Sequence, residues 1–455
     1  MALFGTDGVR GLANRDLTAE LALDLAVAAA HILGELALDL AVAAAHILGE
    51  SGEFKGHRPK AIVGQDSRAS GEFLQAAVVA GLASAGVDVY KVGILPTPAI
   101  AHLVAETGAD LGVMISASHN PMPDNGIKFF SRGGGKLDDA LEKAIEARLN
   151  EPWERPTGKD VGRVINDESA AERYIYHLLS TIKTSLNGIK VVVDCANGAS
   201  SEVAPEVYRR AGAQVIAISN KPTGWNINED CGSTHLENLI EKVKREKADI
   251  GIAHDGDADR ALAVDANGQV IDGDFIMAIL ATHWKVPTVV GTVMSNLGFI
   301  KALNDLGIKV EKTQVGDRYV LENMLANGHK LGGEQSGHVI LRDYANTGDG
   351  VLTALHLMQV MAETKKSVAE LASVMERFPQ VLINVKDVNK AKLSTSALLA
   401  STISDFESKL GDSGRILVRA SGTEPLVRVM VEAQSQDQAT QIAEKIAEIV
   451  RLELK

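Results

Sequence analysis

Short apolar runs alternate with amphipathic stretches along most of this 455-residue chain, and that alternation narrows the fold more than any other feature. Ala61–Val63, Val87–Val92, Leu111–Ile115, Lys190–Val193, Gln214–Ile218 and Ile250–Ala253 read as buried strands. Between them lie helical stretches such as Gly71–Ala85 and Leu236–Glu246. Such alternation implies α/β layers. Residues 379–455 differ: strands around Val381–Val385, Arg415–Arg419 and Val427–Ala433 precede a final helix from about Gln436 to Leu452. That tail reads as a small α+β domain of its own. The length suits about three domains, with four allowed.

Near Ile115, Ala253 and Gly332 a strand-like run ends in a Gly- or Ser-rich polar motif. Ligand sites of open α/β sheets gather at such strand ends. The first motif, Ile115-Ser116-Ala117-Ser118-His119-Asn120-Pro121, offers a hydroxyl on a tight polar turn. Taken alone, Ser118 also fits a helix cap or turn serine. The second, Asp255-Gly256-Asp257-Ala258-Asp259-Arg260, sets three carboxylates at alternate positions after a strand. They would repel one another without a cation among them, and Mg²⁺ prefers such oxygen ligands. A solvated acidic turn explains the string alone equally well. An EF-hand does not fit, because no glutamate stands at the twelfth loop position. A hydroxyl able to carry phosphate plus a carboxylate nest is a minimal phosphoryl-transfer site.

In Gly333-Glu334-Gln335-Ser336-Gly337-His338, Glu334 and Ser336 can hydrogen-bond sugar hydroxyls, and His338 titrates in a range suited to proton transfer. Arg419, Ser421, Gly422, Thr423 and Arg428 combine guanidiniums, hydroxyls and glycine-exposed backbone, a set suited to a phosphate dianion. Each string alone also passes for a polar turn.

Composition closes off other classes. Net charge is −13, from 46 basic against 59 acidic residues, which argues against general nucleic-acid or membrane-surface binding. Two cysteines, Cys195 and Cys231, make no disulfide framework and fit a reducing cytoplasm. The chain opens on a Gly-rich polar motif, so no cleavable signal is expected. Leu21–Glu35 is repeated letter for letter as Leu36–Glu50. A second copy would continue the helical stripe rotated by roughly 60°. Perfect identity suggests a recent duplication or an assembly artefact, since working repeats drift. Asp24, Asp39, His31 and His46 exclude a membrane span there.

Together with Phe4-Gly5-Thr6-Asp7-Gly8-Val9-Arg10-Gly11, these motifs occur in an order that resembles the α-D-phosphohexomutases, over residues 4 to about 450. The resemblance implies three similar α/β domains, mixed sheets flanked by helices, plus a smaller C-terminal α+β domain around a central cleft. Boundaries are placed at 1–168, 169–267, 268–378 and 379–455. It implies that Ser118 is phosphorylated in the resting enzyme. His119 and Asn120 would shape its loop, with Ser116 a bystander. One Mg²⁺ would sit between the Ser118 phosphate and Asp255, Asp257 and Asp259, supported by Arg260. Arg10, the segment Asp66-Ser67-Arg68 and Lys128 would add cations or hydrogen-bonding groups, Lys128 assisting proton transfer. The implied reaction moves a phosphoryl group between O6 and O1 of a hexose phosphate through a 1,6-bisphosphate.

Phe4-Gly5-Thr6-Asp7-Gly8, Asn226-Ile227-Asn228 with Cys231-Gly232-Ser233-Thr234-His235, Gln335 and Val315-Gly316-Asp317-Arg318-Tyr319-Val320 resemble the amino-sugar branch of that family, and the resemblance implies a hexosamine phosphate as the small-molecule partner. Glucose or mannose phosphate is the runner-up. A sugar-phosphate sensor is the non-catalytic alternative. The oligomeric state stays open, a homodimer being one option.

Overall fold

The computed structural model describes residues 9–13, 15, 17–26, 57–137, 156–421 and 426–455. Of Arg10 it describes only the backbone, and Gly422, Thr423 and most of the repeat lie outside the described residues.

Four sheets follow one another along the chain. The first holds β1 (Val9–Leu12), β2 (Lys60–Gln65), β3 (Asp88–Ile94), β4 (Leu111–Ile115), β5 (Asp124–Ser131) and β6 (Val164–Asn166), in the order β1-β5-β4-β2-β3-β6. β2 runs parallel to β3 and β4, whereas β5 is antiparallel to β1 and β4. The second holds β7 (Lys190–Asp194), β8 (Gln214–Ile218), β9 (Ile250–His254), β10 (Ala261–Asp265) and β11 (Val270–Ile271), ordered β11-β10-β9-β7-β8. The third holds β12 (Thr288–Thr292), β13 (Lys309–Thr313), β14 (Leu331–Gly333) and β15 (Val339–Leu341), ordered β13-β12-β14-β15. The last is the antiparallel trio β16 (Gln380–Lys386), β17 (Arg415–Ala420) and β18 (Leu426–Glu432), with β18 central. The architecture is thus three α/β domains with mixed sheets and a small α+β domain.

Two-residue periodicity explains why helices cover both faces of the first sheet. Ala61 and Val63 pack with Val78 and Leu82 of the helix Ser70–Ser84. The intervening Ile62 packs with Ile100 of Thr97–Thr107 on the opposite side. One apolar cluster then runs from Ile62 and Ile100 through Tyr174, Val191 and Ile252 to Leu331 and Leu355, joining the first three layers. The fourth domain keeps a separate core around Val427, Val429, Ala443 and Ile446. It is seated by charge instead. The buried Glu432 accepts from Arg415 Nε at 2.6 Å and from Leu297 N at 3.0 Å.

The expected strands and helices are present with ends shifted by one or two residues. β1, β5, β6, β10, β11 and, in the third sheet, β12, β13 and β15 were not anticipated, whereas β14 is the strand-like run expected near Gly332. In the third sheet β14 and β15 have only three residues each. Runs that short are hard to separate from turns by periodicity.

Candidate active site

The loops that leave β2, β4, β9 and β14 converge. All four follow strand C-termini, and the first three sheets are joined through the shared core, so the loops meet at one place. Ser118, on the loop after β4, is 1% exposed and holds φ 54°, a left-handed conformation that costs a non-glycine residue energy. That strain is held by a buried brace. Ser118 N donates to Ser116 Oγ at 2.9 Å, and Ser116 Oγ donates to Asp66 Oδ2 at 2.7 Å. Arg68 Nε donates to the same oxygen at 3.0 Å. Its Nη atoms donate to the carbonyls of Pro121, Ser118 and Asn120 at 2.6, 3.0 and 2.8 Å. Asn228 Nδ2 reaches the last two carbonyls at 2.9 and 3.0 Å.

These contacts correct one expectation: Ser116 is no bystander but part of the brace that shapes the loop. Arg68, expected as a cation or hydrogen-bonding group, acts as the latter, spending its donors on backbone carbonyls and its charge on Asp66. Asn120, expected to shape the loop, does so through its carbonyl and by donating Nδ2–H to Asp124 at 3.0 Å.

The hydroxyl of Ser118 donates to Asp255 Oδ2 at 2.6 Å, and His119 Nδ1 lies 3.5 Å from the same Oγ. The bend of the aspartate loop requires small residues. A Cβ on Gly256 would meet Ser118 O at 2.6 Å, and Ala258 holds φ 56°. Asp255, Asp257 and Asp259 are all buried, and one oxygen from each lies within 4.8 Å of the others. Asp257 accepts from Thr97 Oγ1 and, at 2.7 Å, from Lys128 Nζ. Lys128 Nζ also stands 3.7 Å from Asp259 Oδ2, and Arg260 Nε lies 3.8 Å from both Asp255 and Asp259. Lys128 is 3% exposed, so it is a charge-neutralising member of this cluster and no solvated lysine.

Burial, then Asp259 and Asp257, pushes the Asp255 carboxyl well above the usual range. Burial acts in the same direction on Asp259, but Lys128, His338 and Arg260 outweigh it and hold that carboxyl well below. One group is held ionised while its neighbour is reluctant to ionise, the outcome expected when like charges crowd. Asp257 Oδ1 and Asp259 Oδ1 are buried and have no hydrogen-bond partner. Three oxygen donors with two orphaned atoms fit a hard divalent cation such as Mg²⁺.

The loop after β14 brings the third domain in. Glu334 accepts from Gly316 N at 3.0 Å, and burial raises its pKa. Ser336 is exposed, at the tip. His338 turns inward: Nδ1 faces Asp259 Oδ2 at 3.6 Å and Nε2 faces Asp317 Oδ2 at 3.3 Å. Burial opposes its protonation, yet Asp259 and Asp317 prevail and raise it to about 9. It therefore carries its proton near neutral pH, which suits charge support better than the proton acceptance expected from an ordinary imidazole.

Across from Glu334 stands the fourth domain. Arg419 and Arg428 occupy directly opposed positions on β17 and β18. Like charges so placed repel, unless an anion lies between them. Arg419 Nε is buried without a hydrogen-bond partner. Burial, then Arg428, lowers the Arg419 pKa from its ordinary value, while Glu334 pulls it back. Ser421 is buried beside them, and its carbonyl accepts from Lys390 Nζ at 2.9 Å, a cation the sequence reading did not single out.

The β1 backbone at Arg10 pairs with Gly126 of β5, the strand that carries Lys128. Thr97 and Lys390 were missed beforehand, and they act through contacts that no local string announces. Asn228 and Asp317 lay in stretches already quoted but without these roles, so polar residues with buried partners were the available signal.

Four family models match the chain: phosphoglucomutase/phosphomannomutase α/β/α domain I over residues 1–155, domain II over 172–268, domain III over 272–378 and the C-terminal domain over 382–449. The phosphoglucosamine mutase of Nocardioides sp. is 58% identical over 99% of this chain and 99% of that protein. That of Acidothermus cellulolyticus is 58% identical over 99% and 95%. Among solved structures, a phosphoglucomutase/phosphomannomutase family protein from Burkholderia thailandensis superposes with a TM-score of 0.79 at 22% identity, covering 100% of this chain and 98% of that one. An N-acetylphosphoglucosamine mutase from Aspergillus fumigatus, in complex with GlcNAc-6P and magnesium, gives 0.62 at 18% identity over 79% and 93%. A strained, braced serine facing a buried carboxylate triad, domain models that follow the chain in order, and full-length relatives at this identity agree: the chain belongs to the phosphoglucomutase/phosphomannomutase family, the α-D-phosphohexomutases.

Proposed function

We propose that this protein is a phosphoglucosamine mutase, interconverting glucosamine 6-phosphate and glucosamine 1-phosphate and so supplying UDP-N-acetylglucosamine and peptidoglycan precursor synthesis. The observation that carries the reading is the 2.6 Å contact of Ser118 Oγ with Asp255 in a family whose full-length relatives at 58% identity are phosphoglucosamine mutases. Ser118 carries the phosphoryl group in the resting state. Asp255, Asp257 and Asp259 would hold Mg²⁺ beside it. When bound, the ion offsets charge on the transferring phosphoryl group.

In the first half-reaction a free hydroxyl of the sugar attacks the phosphoserine phosphorus. The bond from phosphorus to Ser118 Oγ breaks, and the hydroxyl's proton ends on that Oγ, leaving a hexosamine 1,6-bisphosphate. After the bisphosphate turns round, the reverse step returns the other phosphoryl group to Ser118. Lys128, Arg260 and protonated His338 hold the carboxylates, and the Asp66–Arg68 brace holds Ser118 on line. Most of the catalysis is therefore positioning and charge compensation. Glu334 and Ser336 take sugar hydroxyls. Arg419, Arg428 and Ser421, with Gly422 and Thr423 beyond the described residues, clamp the phosphate that is not reacting. One clamp serves both half-reactions because either end of the bisphosphate presents the same dianion.

Among the described residues no helix is long and apolar enough to cross a membrane. The test is a coupled assay with glucosamine 6-phosphate, glucose 6-phosphate and mannose 6-phosphate in Mg²⁺, preceded by intact mass to read the serine phosphate. Fastest turnover of the amino sugar is the expected result. Preference for glucose or mannose phosphate would move the reading to a phosphoglucomutase/phosphomannomutase. Absence of turnover in fully phosphorylated protein would leave a sugar-phosphate sensor.

A further inference from the structure

His338 is seated by groups that the reaction itself does not call for. Its ring is 3% exposed and touches a carboxylate at each end, Asp259 through Nδ1 and Asp317 through Nε2. Asp317 opens the helix Asp317–Asn327, and its other oxygen accepts from Arg318 N at 2.8 Å. Oδ2 of Asp317 is also paired with Lys136 Nζ, a first-domain lysine, and both side chains are largely buried. A buried pair of this kind gives up hydration for little net stability, so what it supplies here is geometry. Lys136 bridges back to Phe130 on the hairpin that extends β5, and β5 also carries Lys128. The contacts Lys136–Asp317–His338–Asp259–Lys128 therefore close a loop that starts and ends on one first-domain hairpin and passes through the third and second domains.

Gly348 forms the floor. Its N–H points at His338 Nε2 at 3.1 Å, and a Cβ there would come within 2.4 Å of the ring. Nε2 thus lies between Gly348 N and Asp317 Oδ2, while Nδ1 faces Asp259.

We propose that Asp317, Lys136 and Gly348 are positioning residues that seat His338 and, through it, set the orientation of Asp259. The proposal rests on Asp259 being one of the three carboxylates that hold the cation of the mutase site. Outer partners of ligating groups commonly control affinity or activity by about 10–100-fold.

The experiment compares wild type, Asp317→Asn, Lys136→Met, the double variant and Gly348→Ala in two readouts. One is Mn²⁺ binding to the dephosphorylated protein, measured without substrate. The other is kcat and KM for glucosamine 6-phosphate. Expected are Mn²⁺ affinity weakened about tenfold, kcat lowered about 10–100-fold and KM changed little. The double variant should be no worse than either single one, because both remove the same seat. Asp317→Asn preserves shape, so it decides the matter if Gly348→Ala fails to fold. Unchanged Mn²⁺ affinity and kcat in folded Asp317→Asn would overturn the proposal, as would a loss confined to KM or additive losses in the double variant. The metal readout separates this proposal from the functional one: weakened Mn²⁺ binding in a protein that turns over no sugar phosphate upholds the seat and sinks the mutase.

Discussion

The junction of the first three domains and the strand pair of the fourth are both crowded with charge, but they are built on opposite plans. At the junction nearly every charge has a counter-charge. Asp257 has Lys128, Asp66 has Arg68, and Asp259 lies among Lys128, Arg260 and His338. Across β17 and β18, two arginines face each other, and Arg419 leaves a buried Nε without a partner. A cluster whose carboxylates are braced by fixed cations holds its geometry before substrate arrives, which is what chemistry at Ser118 needs. A buried guanidinium nitrogen without a partner, as at Arg419, gains one when an anion enters, which is what binding needs. The packing follows the same division. The first three layers share an apolar core, whereas the fourth domain has its own and is tied on through Arg415 and Glu432. A domain attached by a polar seam can move as a unit more readily than one sharing a core, and opening or closing a site around a turning intermediate benefits from that.

Substitutions at the two regions should split turnover from binding. The largest effect belongs to Ser118→Ala. It should lower kcat by at least about 10⁴-fold while leaving sugar-phosphate binding measurable by calorimetry. Retained turnover would break the junction's claim to the chemistry. Asp257→Asn comes next, with kcat down by about 10²–10³-fold and Mn²⁺ affinity reduced, KM being little altered. Arg419→Ala should do the reverse. KM for glucosamine 6-phosphate should rise about 10–100-fold, the worth of lost charge-assisted hydrogen bonds, and kcat should change far less. Its melting temperature without ligand should hold or rise, since a like-charge contact is gone. A fall in that temperature would show that the clamp is compensated after all.

The smallest effect lies away from both regions and calibrates them. Burial lowers the His356 pKa from 6.5 to about 4, between Tyr344 and Trp284. The unfolded chain therefore takes up this proton first, so stability falls as pH drops from about 6.5 towards about 4. His356→Gln should flatten the pH dependence of the melting temperature in that window and leave kcat near wild type.

How much of this was legible beforehand depended on whether the relevant residues are neighbours in sequence. Ser118 and the three aspartates could be read because each group is contiguous and follows an apolar strand. Lys128 stood out only by resemblance, since β5 itself was not anticipated. For Arg68 the two options, cation or hydrogen-bonding group, stayed open because a charge in a loop looks the same on paper whether it meets ligand or backbone. His338 was read with the titration range of a free imidazole, and its two carboxylate neighbours come from elsewhere in the chain.

The alternation of apolar runs and helices, the layered class and the carboxylate string are properties of neighbouring residues and could be read from the chain, whereas the strain at Ser118 is held by residues 50 and 110 positions away. Tertiary structure alone decided that Ser118 meets Asp255 across 137 residues and that Lys136 meets Asp317 across 181. The physical reason is that burial and Coulomb terms depend on distance in space. A side chain's partners, and so its charge state and its part in the reaction, exist only once the sheets have packed.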